Sequence, residues 1–517
     1  MSFTSDSKII TKNTFFLYFR MLFCMAVNLY TLRIVLNTLG ISDYGIYGIV
    51  SAITVFFSFL KNSISGATSR FLTFELGCNN SEKLKKNFSA ALTIHVLIAG
   101  IIFILTETLG LWGLENKIVI PIERMSAANW VFQLSMISSM VSVIQVPYSA
   151  MIIAHERMNV YAYIEILNYT LQLIAVYLLS AIGSFDKLIL YAAMLLGVSF
   201  FITLVYKFYC VKNFSECKYK FSWEKEIIYP ILKFSVWDLY GNMAVVAKLQ
   251  GINILFNIFF GVAVNSAYSI ATLVDSAIIN FSGNFLAAVR PRLVKYYAAN
   301  EIARMEHLII NSAKISFFLL FFISLPLIIE NHFILHFWLK NVPDYTVSFC
   351  QLNFINSLQA SIFFVLIFAI HATGKIRSFS FISGSIYLSV IPISYFLLKA
   401  GYSPIVPFIA NTILFVFYFA ASLIMTHLLI PQFSLSRFVF KAVFICFATM
   451  LVASVFPIYL HYCFVEGWLR FIIVVVISIV SIAVSGYFIM LNQEMRQQVR
   501  RIVFSKVSFR KLSNEYT

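Results

Sequence analysis

Charge is what this chain has least of. Asp, Glu, Lys and Arg make up 12% of its 517 residues, against about 25% in soluble domains. With 60% of the chain hydrophobic, a soluble fold would expose apolar patches large enough to aggregate. Cysteine is scarce and badly spaced for chemistry. The seven cysteines include no CxxC pair, and most lie in or beside apolar runs. That argues against a disulfide framework and a zinc site. The glycines show no Walker or Rossmann spacing, so no nucleotide cofactor is expected. His332 and His336 have i, i+4 spacing but no third ligand, so no metal is expected. Lys8 and Lys12 precede an apolar run without a small-residue cleavage site, so that run is expected to stay in the membrane.

What is present is a succession of apolar runs of about 20 residues, each long enough to cross a bilayer as a helix. Mean hydropathy is +0.86. The runs predict an all-α integral membrane protein with about fourteen transmembrane helices. The expected spans are 15–37, 44–65, 89–111, 127–150, 160–182, 188–210, 231–256, 262–288, 308–330, 346–370, 379–398, 405–428, 438–460 and 468–491.

The formal charge of +16 sits between these runs, which points to topology and anionic lipid headgroups rather than to nucleic acid. One alternating set of connections holds 24 of the 38 basic residues and the other set holds 5. The positive-inside rule places the first set, and both termini, in the cytoplasm. The longest outer connections, 112–126 and 331–345, have no room for a folded domain. The basic tail 492–517 is expected on the inner side.

The chain also repeats itself. LNTLGISDYGIYGI from Leu36 matches FNIFFGVAVNSAYSI from Phe256, with Asn37 on Asn257 and, after one gap, Tyr47 on Tyr268. Downstream, SRFLTFELG from Ser69 matches PRLVKYYAA from Pro291, which sets Arg70 on Arg292. Repeats of the same orientation give two bundles related by an axis along the membrane normal. The expected divisions are 1–210 and 211–430 for two six-helix bundles, 431–491 for two additional helices, and the tail.

Five stretches in order resemble polysaccharide-export flippases of the MOP superfamily, the group that also holds the MATE exporters. They are LGISDYGIYG from Leu39, VPYSAMIIAHERMNVYAYIEI from Val146, RPRLVKYYA from Arg290, HFWLKNVPDY from His336 and ATGKIRSFSFISG from Ala372. The chain looks like the O-antigen translocases described as lipopolysaccharide biosynthesis proteins. The resemblance implies pseudo-two-fold bundles around a central cavity lined by helices 1, 2, 7 and 8. It implies alternating access that carries a polyprenyl-pyrophosphate-linked oligosaccharide to the outer leaflet of the bacterial inner membrane. It also implies polysaccharide polymerase machinery as a partner.

Ionisable residues inside the expected spans carry the remaining signal, because a charge at the bilayer centre costs about 2.5–3.5 kcal/mol and normally faces a cavity or a partner. Lys207, Lys233, Lys314 and Lys441 lie near inner boundaries and Arg470 near an outer one, so each is expected to snorkel. Arg20, Arg33, Lys61 and Lys248 are the candidate cations for an anionic substrate. Arg suits phosphate because its planar fork donates bidentately. Arg70 and Arg292 are candidates for headgroup capture at the inner face. Asp275 can pair with Lys248 or bind a coupling ion, H+ or Na+. Asp238 can pair with Lys233 or Arg20, the structural role favoured for it, or take part in ion coupling. For each residue a structural role, as an ion pair or a snorkelling side chain, stands beside the functional one. Two other functions share this architecture or location. A MATE-like exporter of drugs or metabolites would favour an acidic cavity. A membrane-embedded glycan polymerase or ligase would need a sizeable outer loop, and the short loops argue against an enzyme.

Overall fold

A computed structural model describes residues 3–56, 58–116, 120–181, 186–221, 223–339, 342–491 and 496. The Arg33 side chain and the tail 492–517, apart from Arg496, lie outside the described residues. Every regular element among the described residues is helical. Helices close their own backbone hydrogen bonds, which hydrocarbon cannot do for them.

The first part of the chain forms α1 (Phe3–Phe56), α2 (Ser58–Gly77), α3 (Ser81–Leu105), α4 (Leu111–Asn116), α5 (Met125–Ile144), α6 (Val146–Ala154), α7 (Met158–Ala181) and α8 (Lys187–Asn213). The next part forms α9 (Lys225–Ala298), α10 (Ile302–Ile329), α11 (Asn331–Leu339), α12 (Thr346–Thr373), α13 (Arg377–Lys399) and α14 (Val406–Leu429). Then come α15 (Leu435–Phe438), α16 (Phe444–Cys463) and α17 (Trp468–Ser485). Among the described residues, twelve helical segments between Ser81 and Met490 are long and apolar enough to cross a membrane. The third to fourteenth expected spans fall on these twelve. The first two fall on α1 and the start of α2, either side of Gly40.

The repeat has a backbone signature. α1 and α9 are each two helical arms joined at one glycine, Gly40 (φ 79, ψ 168) and Gly261 (φ 75, ψ −164). That corner of backbone space is open essentially to glycine alone. The two glycines occupy matching positions in the repeat. The matched tyrosines pack in matching ways. Tyr47 meets Tyr191 of α8 edge-on at 5.0 Å, and Tyr268 meets Phe408 of α14 at 6.0 Å.

The chain forms two compact units. One comprises Met1–Ala247, Ala287–Met305 and Phe368–Ser385. Its core includes the fully buried Leu72, Leu84, Phe88 and Tyr206. Here Arg124 joins two segments far apart in sequence. It donates to the Asp43 carboxylate in α1 and to Asp186, which also caps α8 by accepting from the Leu188 N–H at 3.0 Å. Burial alone would raise the Asp186 carboxyl. The Arg124 hydrogen bond and the helix N–H groups outweigh it and hold it below the usual carboxylate range.

The other unit comprises Lys248–Leu286, Glu306–Ile367 and Ile386–Thr517. Phe256, Phe349 and Phe408 stack within it, the last two with ring centroids 4.5 Å apart. Two residues expected to snorkel are instead committed inside. Arg470 is buried and donates to Glu330 at 3.0 Å, while His461 sits 2.8 Å from the other Glu330 oxygen. Glu330 is fully buried, so this network fastens α16 and α17 to the end of α10. Lys314 is buried and donates to the Met490 carbonyl at 3.0 Å. In both cases the partner is supplied by a segment more than a hundred residues away. The segment 331–345, expected as a loop, holds α11, whose His332 bonds Glu466 at 2.9 Å.

Two predictions follow from the backbone and the caps. Gly40→Ala and Gly261→Ala meet no atom within 4 Å, so any loss is backbone strain, about 1–3 kcal/mol each. Gly100→Ala, in ordinary helix with equally open space, is expected to be neutral or slightly stabilising. Thermal unfolding of the detergent-solubilised chain separates the two cases. The Asp186 carboxyl is held down in the folded state, so its contribution is full above the ordinary carboxylate range. It is lost as pH falls through the depressed folded value. Asp186→Asn is therefore expected to lower stability at neutral pH and to flatten the acid limb of a stability–pH curve.

Candidate functional site

The matched arginines Arg70 and Arg292 end up at matched places. Arg70, near the end of α2, is 7% exposed. It donates from Nε and Nη2 to the Ala372 carbonyl at 3.3 and 2.9 Å, at the end of α12. Phe71 and Phe74 lie under its guanidinium at 4.5 and 4.6 Å. Arg292, near the end of α9, pairs with Glu156 at 3.4 Å, in the turn after α6. Lys295 joins the same carboxylate at 2.7 Å. Each arginine thus reaches from its own half of the sequence to a helix end of the other half.

The receiving turns also correspond. Gly374 follows α12 with φ +74, and Glu156 follows α6 with φ 58. At the Gly374 position any Cβ would stand 2.8 Å from Arg70 Nη2 and 2.9 Å from its Cζ. Glycine there is favoured by the backbone and by the guanidinium lying against it. At the other turn the same backbone position carries a side chain, and that carboxylate receives the two cations.

A second polar layer belongs to the same compact unit. Asp238 of α9 accepts from Asn242 at 3.1 Å, and His371 Nε2 lies 3.8 Å from its other oxygen. Asn242 also donates to Ser63 at 3.4 Å, and Arg290 donates to the Gly66 carbonyl at 3.3 Å. Arg290 acts electrostatically on Asp238 and stands over the Phe368 ring at 5.3 Å. The partners of Asp238 are therefore Asn242, His371 and Arg290 rather than the expected Lys233 or Arg20. Asp238 sits about a turn and a half along α9 from Lys233, on a face turned to α12.

The remaining candidates are spread over both units. In the first, Arg20 lies over the Tyr161 ring at 5.1 Å, and Lys61 donates to the Ser142 hydroxyl at 3.2 Å. In the second, Lys248 donates to Asn411 at 3.1 Å and stands over the Tyr387 ring at 4.9 Å. Asp275 accepts from Ser357 at 2.6 Å. Lys248 and Asp275 sense each other electrostatically, but no direct ion pair joins them among the described residues. Lys61 and Lys248 are thus both embedded cations whose bonded partner is a neutral side chain.

Several participants were not singled out from sequence, Glu156 and Asn242 among them. His371 lies one residue before the ATGKIRSFSFISG stretch, and that neighbourhood is the signal that could have found it. Glu165 accepts from Tyr206 at 2.9 Å and acts electrostatically on Lys61. An inventory of embedded acids alongside the bases would have raised it. Asn411 carries no sequence signal as a partner for Lys248, 163 residues away.

No family model matches the sequence, and no characterised protein matches it at the sequence level. The fold does have solved neighbours. A MATE structure in a bent conformation superposes with a TM-score of 0.72 at 13% identity, over 82% of this chain and 96% of its own. An outward-facing multidrug resistance MATE transporter of the MOP superfamily gives 0.68 at 13%, over 82% and 97%. A MOP superfamily transporter from Pyrococcus furiosus, described by a binding pocket of reverse polarity that suggests a different function, gives 0.68 at 12%, over 84% and 96%. The chain has the fold of the MATE transporters, as the resemblance in its sequence implied.

Gly374 and Gly401 provide a controlled pair. Both have positive φ, but only Gly374 has an atom within 4 Å of a built Cβ. Gly401→Ala is expected to cost about 1–3 kcal/mol of backbone strain. Gly374→Ala is expected to cost that plus about 1.5–3 kcal/mol for displacing Arg70 from the Ala372 carbonyl. The difference between their thermal unfolding midpoints measures the Arg70 contact.

Proposed function

We propose that this chain is a membrane transporter that carries a lipid-linked oligosaccharide with a pyrophosphate headgroup across the bacterial inner membrane. The observation that carries this reading is the pair Lys61 and Lys248. Each is an embedded lysine bonded to a neutral partner, Ser142 or Asn411, and no carboxylate among the described residues is in salt-bridge contact with it. A cation kept inside a membrane protein without a contacting anion is costly unless an anion visits it. A pyrophosphate supplies that anion, and charge-assisted hydrogen bonds are the strong ones. Arg20 and Arg33 belong to the same proposal as further cations along the path.

The mechanism we favour is alternating access. Arg70, Arg292 and Lys295 come from the basic connections that the positive-inside rule assigns to the cytoplasm. The contacts Arg70–Ala372 and Arg292–Glu156 join the two sequence halves at that end. For a headgroup to be admitted there, these contacts part, and each parting exposes a guanidinium to the arriving phosphate. Asp238 and Asp275 are candidates for coupling to H+ or Na+. Polymerase machinery on the far side would consume the translocated lipid.

A second reading, a MATE-like exporter of organic cations, is favoured by those same two embedded carboxylates. Reconstitution in liposomes separates the readings. The expected result is protein-dependent movement of a polyprenyl-pyrophosphate oligosaccharide between leaflets. Lys61→Gln or Lys248→Gln is expected to slow it about tenfold or more, as loss of a charge-assisted contact implies. Transport of organic cations with no lipid movement would replace the first reading with the second.

A further inference from the structure

Two adjoining clefts in the first compact unit straddle the end of α8. The first, about 640 Å³, runs along nearly three turns at the end of the helix, between Leu204 and Asn213, and is lined mainly by carbon, including Phe208 and Tyr209. The second, about 520 Å³, opens past the helix end and is mainly polar, with Arg157, Lys212, Glu216 and Lys218 in its wall. Lys212 and Asn213 line both, so the apolar cleft runs into the charged one. The transmembrane segment Lys187–Asn213 ends where they meet. The arrangement has a hydrocarbon part within the span and a cationic part just outside it.

The walls are held in place. His155 stacks on Phe214 at 4.1 Å with rings 8° apart, and Phe214 is buried. Arg157 donates to the Tyr209 hydroxyl at 3.1 Å and stands over the Phe214 ring at 5.6 Å. Burial, helped by Lys295 and Arg157 and opposed by Glu216, holds His155 below its usual range, so the ring is neutral at pH 7. The cleft charge therefore comes from Arg157, Lys212 and Lys218, with Glu216 offsetting one of them. All three cations are exposed.

We propose that this double cleft is a binding site for one anionic phospholipid, with an acyl chain along Phe208 and the phosphodiester between Lys212, Lys218 and Arg157. Apolar length on one side of the membrane boundary and positive charge on the other match that molecule and no soluble anion. The site lies within the first half of the chain and is independent of the transported substrate.

The test uses the full chain in detergent, titrated by native mass spectrometry. The probes are phosphatidylglycerol, phosphatidylcholine of the same acyl chains, and inorganic phosphate. One phosphatidylglycerol is expected to bind about tenfold or more tightly than phosphatidylcholine. A basic residue near a lipid surface contributes about 1 kcal/mol, so Lys212→Gln with Lys218→Gln is expected to weaken binding about thirty-fold. Lys83→Gln with Lys85→Gln removes equal charge from exposed positions elsewhere and is expected to change little. Equal binding of the two lipids would overturn the proposal. So would equal loss in both double variants, which would mark diffuse attraction. Full displacement of the lipid by inorganic phosphate would reassign the cleft to a soluble anion. The substituted lysines are exposed, and an unchanged unfolding midpoint confirms that a loss of binding is not a loss of fold.

Discussion

Hydrocarbon offers no hydrogen-bond partner, and the polar architecture of this chain follows from that one constraint. Backbone groups are satisfied by helices. Side chains must search further, and their partners are often more than a hundred residues away. Glu330 is met by His461 and Arg470, Lys314 by the Met490 carbonyl, and Arg70 by the Ala372 carbonyl. Each link is also a packing restraint, because a buried charge that loses its partner is strongly destabilising. The two C-terminal helices α16 and α17 are held to α10 in this way rather than by apolar contact alone, which between helices in lipid has no hydrophobic drive.

The helices were legible in the sequence because their signal is local. A run of about 20 apolar residues marks a span wherever it occurs, and the third to fourteenth runs coincide with the twelve membrane-length helices. The hairpin positions were legible through the repeat, since a single glycine sits at the matched turn of each arm pair. Side-chain pairing was not legible. Arg470 and Lys314 looked free to reach the boundary because nothing nearby in sequence could hold them. Their partners are contributed by helices that come together only in the fold. The same holds for Asp238, whose neighbours His371 and Arg290 lie on distant segments, and for Lys248 with Asn411.

The matched arginines and one polar layer lie in one compact unit. Helix ends from both halves of the sequence are tied there by the matched arginines, with the Asp238, His371 and Arg290 layer in the same unit. The functional reading leans on charge rather than on fold, because a shared architecture accommodates unrelated substrates. In the proposed reading, Lys61 and Lys248, each bonded to a neutral side chain, are the residues that favour an anionic cargo.

The two arginine ties share a backbone plan but differ in kind. Arg70 is held by a peptide carbonyl, and the glycine beside it offers no side chain. Arg292 and Lys295 are held by Glu156, which is itself an anion. A carboxylate shared by two cations is held by charge, whereas a peptide carbonyl holds its guanidinium by hydrogen bonds to a neutral acceptor. Acidification would weaken the first tie by protonating the carboxylate and leave the second untouched. A structure duplicated in sequence has thereby acquired two unequal joints.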